Sequence, residues 1–286
     1  MFSHKKFLDM LPELYAICVR AGEFQMKFRT NSFKINTKKN STPVTDADIE
    51  ANTIITSCLK KLTPDIQIIS EEGHTNESGS NIFWLIDPLD GTSNYIRGGT
   101  QFCICIALIE DNSPVVGLIY VPSSNTFYYS YKNKGAFVKN KNLGDIQLFT
   151  KKMDSNTSGK IYTSSSINSK ILHILQSKMP NIEVIKCSSA IKFGYIASGQ
   201  GIFYPRIGPT HEWDTAAGDC LVREAGGKIV GLGLKALTGS FSALGNGLRS
   251  IGGGISGVAG QSVSKGGKLM GCEYGPMGRK SKDGTQ

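Results

Sequence analysis

An apolar run cut off by acidic residues constrains this chain more than any other feature. The run Trp84-Leu85-Ile86 is typical of a buried strand, and Asp87-Pro88-Leu89-Asp90-Gly91-Thr92 follows it directly. Two carboxylates and the Leu89 carbonyl at one strand end can face one point, and oxygen-only ligands favour Mg²⁺. The Gly91 and Thr92 amides and the Thr92 hydroxyl can bind an anion beside that cation. The alternative is a polar surface turn, because Asp and Gly are common in turns.

Two further acidic segments favour the metal site. The short apolar run 66–69 ends in Ser70-Glu71-Glu72, and Trp213-Asp214 lies at the start of a predicted helix. Three apolar elements that each end in an acid are hard to explain as solvated turns. If they converge, their carboxylates repel one another unless cations lie between them.

These motifs, in this order and at these separations, resemble the inositol monophosphatase superfamily of Mg²⁺-dependent, Li⁺-sensitive phosphomonoesterases. The resemblance covers residues 7–230. It implies a layered αβαβα sandwich of the α/β class and two or three Mg²⁺ ions. The metal ligands that it implies are Glu71, Asp87, the Leu89 carbonyl, Asp90 and Asp214.

The resemblance also implies the catalytic residues. Thr92, paired with Asp48, would orient the attacking water, Glu71 would hold the ion that activates it, and the Gly91 and Thr92 amides would bind the phosphate. Asp48 has a second interpretation, because Thr45 and Asp48 also predict a capping box for a helix over residues 46–62. Both roles are compatible, since a capping acid at a helix start can still face a cleft.

Substrate choice is expected to come from the C-terminal half, which is similar to the 3'(2'),5'-bisphosphate nucleotidases of this superfamily. Ser189, Lys192 and Arg206 are the substrate-binding residues that this similarity implies. A Lys and an Arg beside the metal site suit a second phosphate. The expected reaction removes the 3'-phosphate of adenosine 3',5'-bisphosphate, a by-product of sulfate activation, and leaves AMP. The alternative interpretation makes both basic residues ordinary surface charges.

Periodicity places these residues on elements. Apolar spacing predicts a helix over residues 7–24. Six short strands between residues 67 and 139, among them 67–70 and 103–110, predict a mostly antiparallel sheet. Between residues 161 and 224 strands, including one at 201–204, alternate with helices. We therefore divide the chain into an N-terminal α+β half (1–155), a C-terminal α/β half (156–230) and a Gly-rich tail (231–286). The tail holds 16 glycines and few residues to bury, so we expect it to be disordered.

The composition argues against nucleic-acid and membrane-spanning classes. The net charge is +9, but the tail holds seven Lys or Arg and two Asp or Glu, which leaves the body at +4. No apolar run approaches the ~20 residues that cross a bilayer. We expect a cytoplasmic protein. Peripheral contact with the inner membrane and the oligomeric state are both left open.

The seven cysteines are scattered, as expected for reduced thiols in the cytoplasm. Cys103 and Cys105 would share one face of a strand. We expect them to be small buried side chains, with a soft-metal site as the alternative.

Two alternative functions stay open at this point. One is an inositol or sugar phosphatase of the same superfamily, which would use the same acidic motifs on another substrate. The other is a catalytically impaired binding protein, because the composition of the tail departs from the family pattern.

Overall fold

The computed structural model describes residues 1–29, 35–37, 43–73, 80–140, 144–152, 158–164, 167, 169–178, 181–206 and 210–229. Its helices are α1 (His4–Phe28), α2 (Asp46–Leu62), α3 (Thr92–Ile96), α4 (Ser169–Lys178), α5 (Ile191–Ala197) and α6 (Glu212–Glu224). Its strands are β1 (Ile35–Thr37), β2 (Pro43–Thr45), β3 (Gln67–Ser70), β4 (Ile82–Asp90), β5 (Cys103–Glu110), β6 (Ser113–Val121), β7 (Thr126–Tyr131), β8 (Gly135–Asn140), β9 (Gly144–Gln147), β10 (Gly159–Thr163) and β11 (Ile182–Lys186). The Gly-rich tail lies outside the described residues.

A seven-stranded sheet forms the centre of the molecule, in the order β3-β4-β5-β6-β7-β8-β9. Strands β3 and β4 are parallel, and each following pair is antiparallel, which confirms the predicted antiparallel character. Tight turns permit this order. Asp111 and Asn112 join β5 to β6 with φ angles of 48° and 58°, the left-handed conformation that such hairpins need.

Helices cover both faces of this sheet because its side chains alternate. Trp84 and Ile86 pack with α1 and α2 on one face, and Leu85 packs with α5 and α6 on the other. Strands β10 and β11 pair in parallel, and Tyr162 of β10 contacts Tyr195 of α5 with ring centroids 4.9 Å apart. The fold is therefore the predicted layered α/β sandwich. The division into two halves near residue 155 stays a prediction.

The first residues of α2 form the predicted capping box. The Asp48 carboxylate accepts a hydrogen bond from the Thr45 amide at 2.8 Å, and the Thr45 hydroxyl accepts one from the Ala47 amide at 3.2 Å. Two amide groups that the helix leaves without carbonyl partners are thereby satisfied. The box fixes Asp48 at the helix start, where it is 2% exposed.

The predicted strand at residues 201–204 is reduced to a single parallel bridge between Phe203 and Ile161. Pro205 lies in a further isolated bridge, and Tyr204 between the two bridges belongs to no strand. Helix α3 and strand β9 were not predicted. No described helix is long and apolar enough to cross a membrane.

Candidate functional site

A break in β4 brings the first two acidic residues together. Pro88 has no amide hydrogen for the ladder, and the register with β5 shifts between Asp87 and Asp90. Asp87 lies opposite Cys105, and Asp90 lies opposite Cys103. Because both cysteines belong to the face that α5 and α6 cover, both acids lie on this face.

Three predicted metal ligands converge there. Asp87, Asp90 and Asp214 each place a carboxylate oxygen within 4.8 Å of the others. Burial and the charges of neighbouring acids, Glu71 first among them, raise the pKa of Asp87 well above its usual value. Burial and the Asp214 carboxylate raise the pKa of Asp90 to about 7. Ionised carboxylates at this spacing are stabilised by a cation, so the trio could hold a divalent metal.

Glu71 lies beside the trio, directly after β3. Its amide donates a hydrogen bond to the Ile86 carbonyl at 3.0 Å, which ties the end of β3 to β4. Burial raises the pKa of Asp87, Asp90 and Asp214, and the Glu71 charge adds to each shift. All four predicted acids therefore belong to one electrostatic cluster.

Neighbouring groups that sequence reasoning missed hold two of these carboxylates in place. The Ala190 amide donates to Asp90. The Thr210 hydroxyl and the His211 amide donate to Asp214 at 2.9 and 3.0 Å. A capping box at the start of α6 could have indicated the Asp214 contacts, but the Ala190 contact joins residues 100 positions apart and has no local signal.

Thr92 lies between Asp48 and the backbone of the broken strand. Its hydroxyl oxygen is 3.1 Å from Asp48 Oδ1 and 3.1 Å from the Leu89 carbonyl oxygen. One hydroxyl proton serves only one acceptor at a time, and the buried carboxylate is the stronger acceptor. When the hydroxyl donates to Asp48, its lone pairs are directed elsewhere and can accept a hydrogen bond from a water molecule.

Glycine is required at position 91. Gly91 has a φ of 96°, and a β-carbon there would lie 2.8 Å from the Gln101 carbonyl oxygen. Gly91 is the N-cap of α3 and Thr92 is its first residue, and both follow Asp90 of β4 directly. The predicted phosphate-binding amides are thus part of the same structural unit.

One cleft joins the acids to the predicted substrate residues. Asp90 and Asp214 line it together with Ser189, Lys192 and Arg206. Aromatic and small side chains complete the lining, namely Ala190, Phe193, Tyr204, Thr210 and Thr215.

Lys192 is not a surface charge, so that alternative is wrong for this residue. It is 3% exposed, and its ammonium donates to the Ser189 carbonyl and, at 3.1 Å, to the Cys187 carbonyl. The ammonium also lies 4.9 Å from the centroid of the Tyr204 ring. Burial lowers its pKa, and the Asp90 carboxylate opposes that shift.

The loop that Lys192 holds presents Ser189 in an unusual conformation. Ser189 has a φ of 59°, in the left-handed region. Arg206 also lines the cleft, is half-buried, and is close enough that its charge lowers the pKa of Lys192 further. Two positive groups thus lie next to a cluster of negative ones.

Comparisons with known proteins agree with this geometry. The model of the inositol monophosphatase family matches residues 9–252, past the point where the composition changes. A 3'(2'),5'-bisphosphate nucleotidase CysQ from Aggregatibacter actinomycetemcomitans is 34% identical over 80% of this chain and 87% of its own length. Two solved structures are also similar. CysQ from Bacteroides thetaiotaomicron has a TM-score of 0.62 at 28% identity, covering 73% of this chain and 84% of that one. An IMPase from Thermotoga maritima has a TM-score of 0.67 at 26% identity, covering 76% and 84%.

Proposed function

Because the chain belongs to the inositol monophosphatase family, we propose that it is a Mg²⁺-dependent phosphomonoesterase that converts adenosine 3',5'-bisphosphate to AMP. The observation that carries this proposal is the cleft that Asp90 and Asp214 share with Lys192 and Arg206. Both phosphates of the substrate are negative, so each needs positive charge beside it. Mg²⁺ ions held by the acids would receive the phosphate that is cleaved, and the basic residues would receive the phosphate that stays.

The donor set suits Mg²⁺. The residues proposed to hold the ions are Glu71, Asp87, Asp90, Asp214 and, through its carbonyl, Leu89. The raised pKa values of Asp87 and Asp90 reflect burial and mutual repulsion, which divalent cations relieve. When bound, Mg²⁺ supplies charge neutralisation at the phosphoryl oxygens and makes a nearby water more acidic.

Residues of the chain position the attacking water and the phosphate. Asp48 accepts a hydrogen bond from the Thr92 hydroxyl, which leaves a Thr92 lone pair to accept one from the attacking water. As the water attacks, its proton would pass to Thr92 while the Thr92 proton passes to Asp48. The Gly91 and Thr92 amides bind phosphoryl oxygens at the start of α3. Lys192 holds the Ser189 carbonyl and keeps its charge within the cleft.

Arg206 is proposed to bind the phosphate that remains on the product. Its planar guanidinium can form two parallel hydrogen bonds with a phosphate, whereas inositol 1-phosphate offers no second phosphate to it.

The experiment measures phosphate release from adenosine 3',5'-bisphosphate and from inositol 1-phosphate, each with Mg²⁺. We expect the native protein to prefer the bisphosphate. Arg206→Glu should lower the rate of phosphate release from this substrate by about 10- to 1,000-fold, because a charged hydrogen bond contributes about 1.5–3 kcal/mol and repulsion adds to its loss. Lys160→Glu makes the same charge change at an exposed position of β10, outside the cleft lining, and serves as the control. Equal losses on both substrates, or a native preference for inositol 1-phosphate, would favour an inositol phosphatase instead.

A further inference from the structure

Two cysteine thiols lie directly behind Asp90, and the proposed hydrolysis does not use them. Cys103 Sγ is 3.8 Å from Cys105 Sγ and 3.9 Å from Asp90 Oδ2. These three atoms all lie within 4.8 Å of one another. The fold dictates this cluster, because residues two apart on β5 share a face and the β4–β5 register sets Asp90 opposite Cys103.

The separation of the two sulfur atoms matches a tetrahedral metal centre. With zinc–sulfur bonds of about 2.3 Å, two thiolates on a tetrahedral ion lie about 3.8 Å apart. The two sulfur atoms already have this separation. A thiolate and a carboxylate oxygen on the same ion lie about 3.5 Å apart, so the Asp90 oxygen would need to approach Cys103 by about 0.4 Å. The Asp90 oxygen lies within 4.8 Å of Cys105 as well, so its approach to that sulfur is at most about 1.3 Å.

We propose that Cys103, Cys105 and Asp90 form a binding site for a thiophilic divalent cation such as Zn²⁺, and that this cation inhibits the enzyme by taking Asp90 from the Mg²⁺ cluster. Soft thiolate ligands select such cations, and Mg²⁺ does not compete for sulfur. The two ions compete only for Asp90. Inhibition, though not binding, rests on the function proposed above.

The cleft provides the route to the thiols. Cys103 and Cys105 are 0% and 1% exposed, but Asp90 lines the cleft and contacts Cys103. A cation that enters the cleft therefore meets Asp90 first and the sulfur atoms behind it. Both thiol protons leave to water as the two sulfur–metal bonds form.

Cd²⁺ is the probe for this site, because thiolates bound to it absorb in the ultraviolet. We expect metal-free native protein to bind one Cd²⁺ per chain with this absorption band, and added Mg²⁺ to weaken the binding. Cys103→Ala and Cys105→Ala should each weaken or remove the band. Cys18→Ala, a matched change at another fully buried cysteine, should retain it. A band that survives in the Cys103→Ala/Cys105→Ala double variant would overturn the proposal.

A second measurement needs no variant and so does not depend on how the variants fold. X-ray absorption at the cadmium edge of the native complex should show two sulfur neighbours. A shell of oxygen and nitrogen alone would overturn the site.

Turnover separates this inference from the proposed function. Zn²⁺ should inhibit phosphate release more strongly in the native protein than in Cys105→Ser, with each rate normalised to the zinc-free value of the same protein. Equal inhibition would overturn the link to activity. If the Cd²⁺ band appears but no phosphomonoester is hydrolysed, the metal site stands and the proposed function fails.

Discussion

Replacing Asp48 by Asn should separate the catalytic role of this residue from its capping role. Asp48 Oδ2 accepts from the Thr45 amide at 2.8 Å and from the Thr45 hydroxyl at 2.6 Å. An asparagine oxygen in that place keeps both hydrogen bonds, so its amide nitrogen must face Thr92. That nitrogen donates to the Thr92 hydroxyl, whose own proton then turns to the Leu89 carbonyl, 3.1 Å away. Thr92 can then no longer donate to residue 48, so the relay that would carry away the proton of the attacking water loses its base.

The expected effects on rate and on stability differ in size. Loss of an oriented base typically costs about 10²- to 10⁴-fold in rate, which corresponds to about 2.7–5.4 kcal/mol in the barrier. Loss of a negative charge at the helix start costs about 0.3–1 kcal/mol, and weaker hydrogen bonds from Thr45 add about 1 kcal/mol. The melting temperature should therefore fall by only about 3–8 °C. Asp48→Asn should be folded but nearly inactive.

The assay pairs phosphate release with thermal unfolding followed by circular dichroism. Asp46→Asn is the matched control, because Asp46 lies in the same first turn of α2 and its replacement removes the same charge. The control should retain turnover. If Asp48→Asn keeps the native rate while folded, the proposed orientation of water by Asp48 and Thr92 is refuted.

Two further predictions concern the metal cluster. Thr210→Val removes the 2.9 Å hydrogen bond to Asp214 and should weaken Mg²⁺ binding by about 10- to 100-fold in calorimetry; unchanged affinity would count against Asp214 as a ligand. In metal-free protein, the Asp90 pKa of about 7 exceeds the unfolded value of 3.8, so the folded state binds more protons and its stability should rise as the pH falls from about 8 to about 6. Saturating Mg²⁺ should remove that dependence, and melting curves that do not vary with pH in a chelator would contradict it.

Local signals in the sequence predicted much of the fold. Helix α2 has the predicted bounds, because a capping box and apolar spacing mark it. Strands β3 and β5 also have the predicted bounds. Helix α3 was missed because it spans only five residues, too few for a periodic pattern. Strand β9 is exposed along its whole length, so no buried face could indicate it.

The candidate site was predictable in its residue types but not in its contacts. The acids of β4 are recognisable because they interrupt an apolar run. The position of Cys103 beside Asp90 depends on how β5 registers against a bulged strand, and one residue of slippage would turn its thiol to the opposite face. The burial of Lys192 likewise depends on the loop that folds over it. Such contacts follow from tertiary packing, which residue patterns do not encode locally.

Phosphate release from adenosine 3',5'-bisphosphate during a Mg²⁺ titration, compared between the native protein and Asp90→Asn, tests the central claim most directly. The native rate should be zero in a chelator and rise to saturation with Mg²⁺. Asp90→Asn should keep its near-ultraviolet circular dichroism and release no phosphate at any Mg²⁺ concentration. Native turnover by a folded Asp90→Asn protein would contradict the assignment of this acidic cluster as the metal centre.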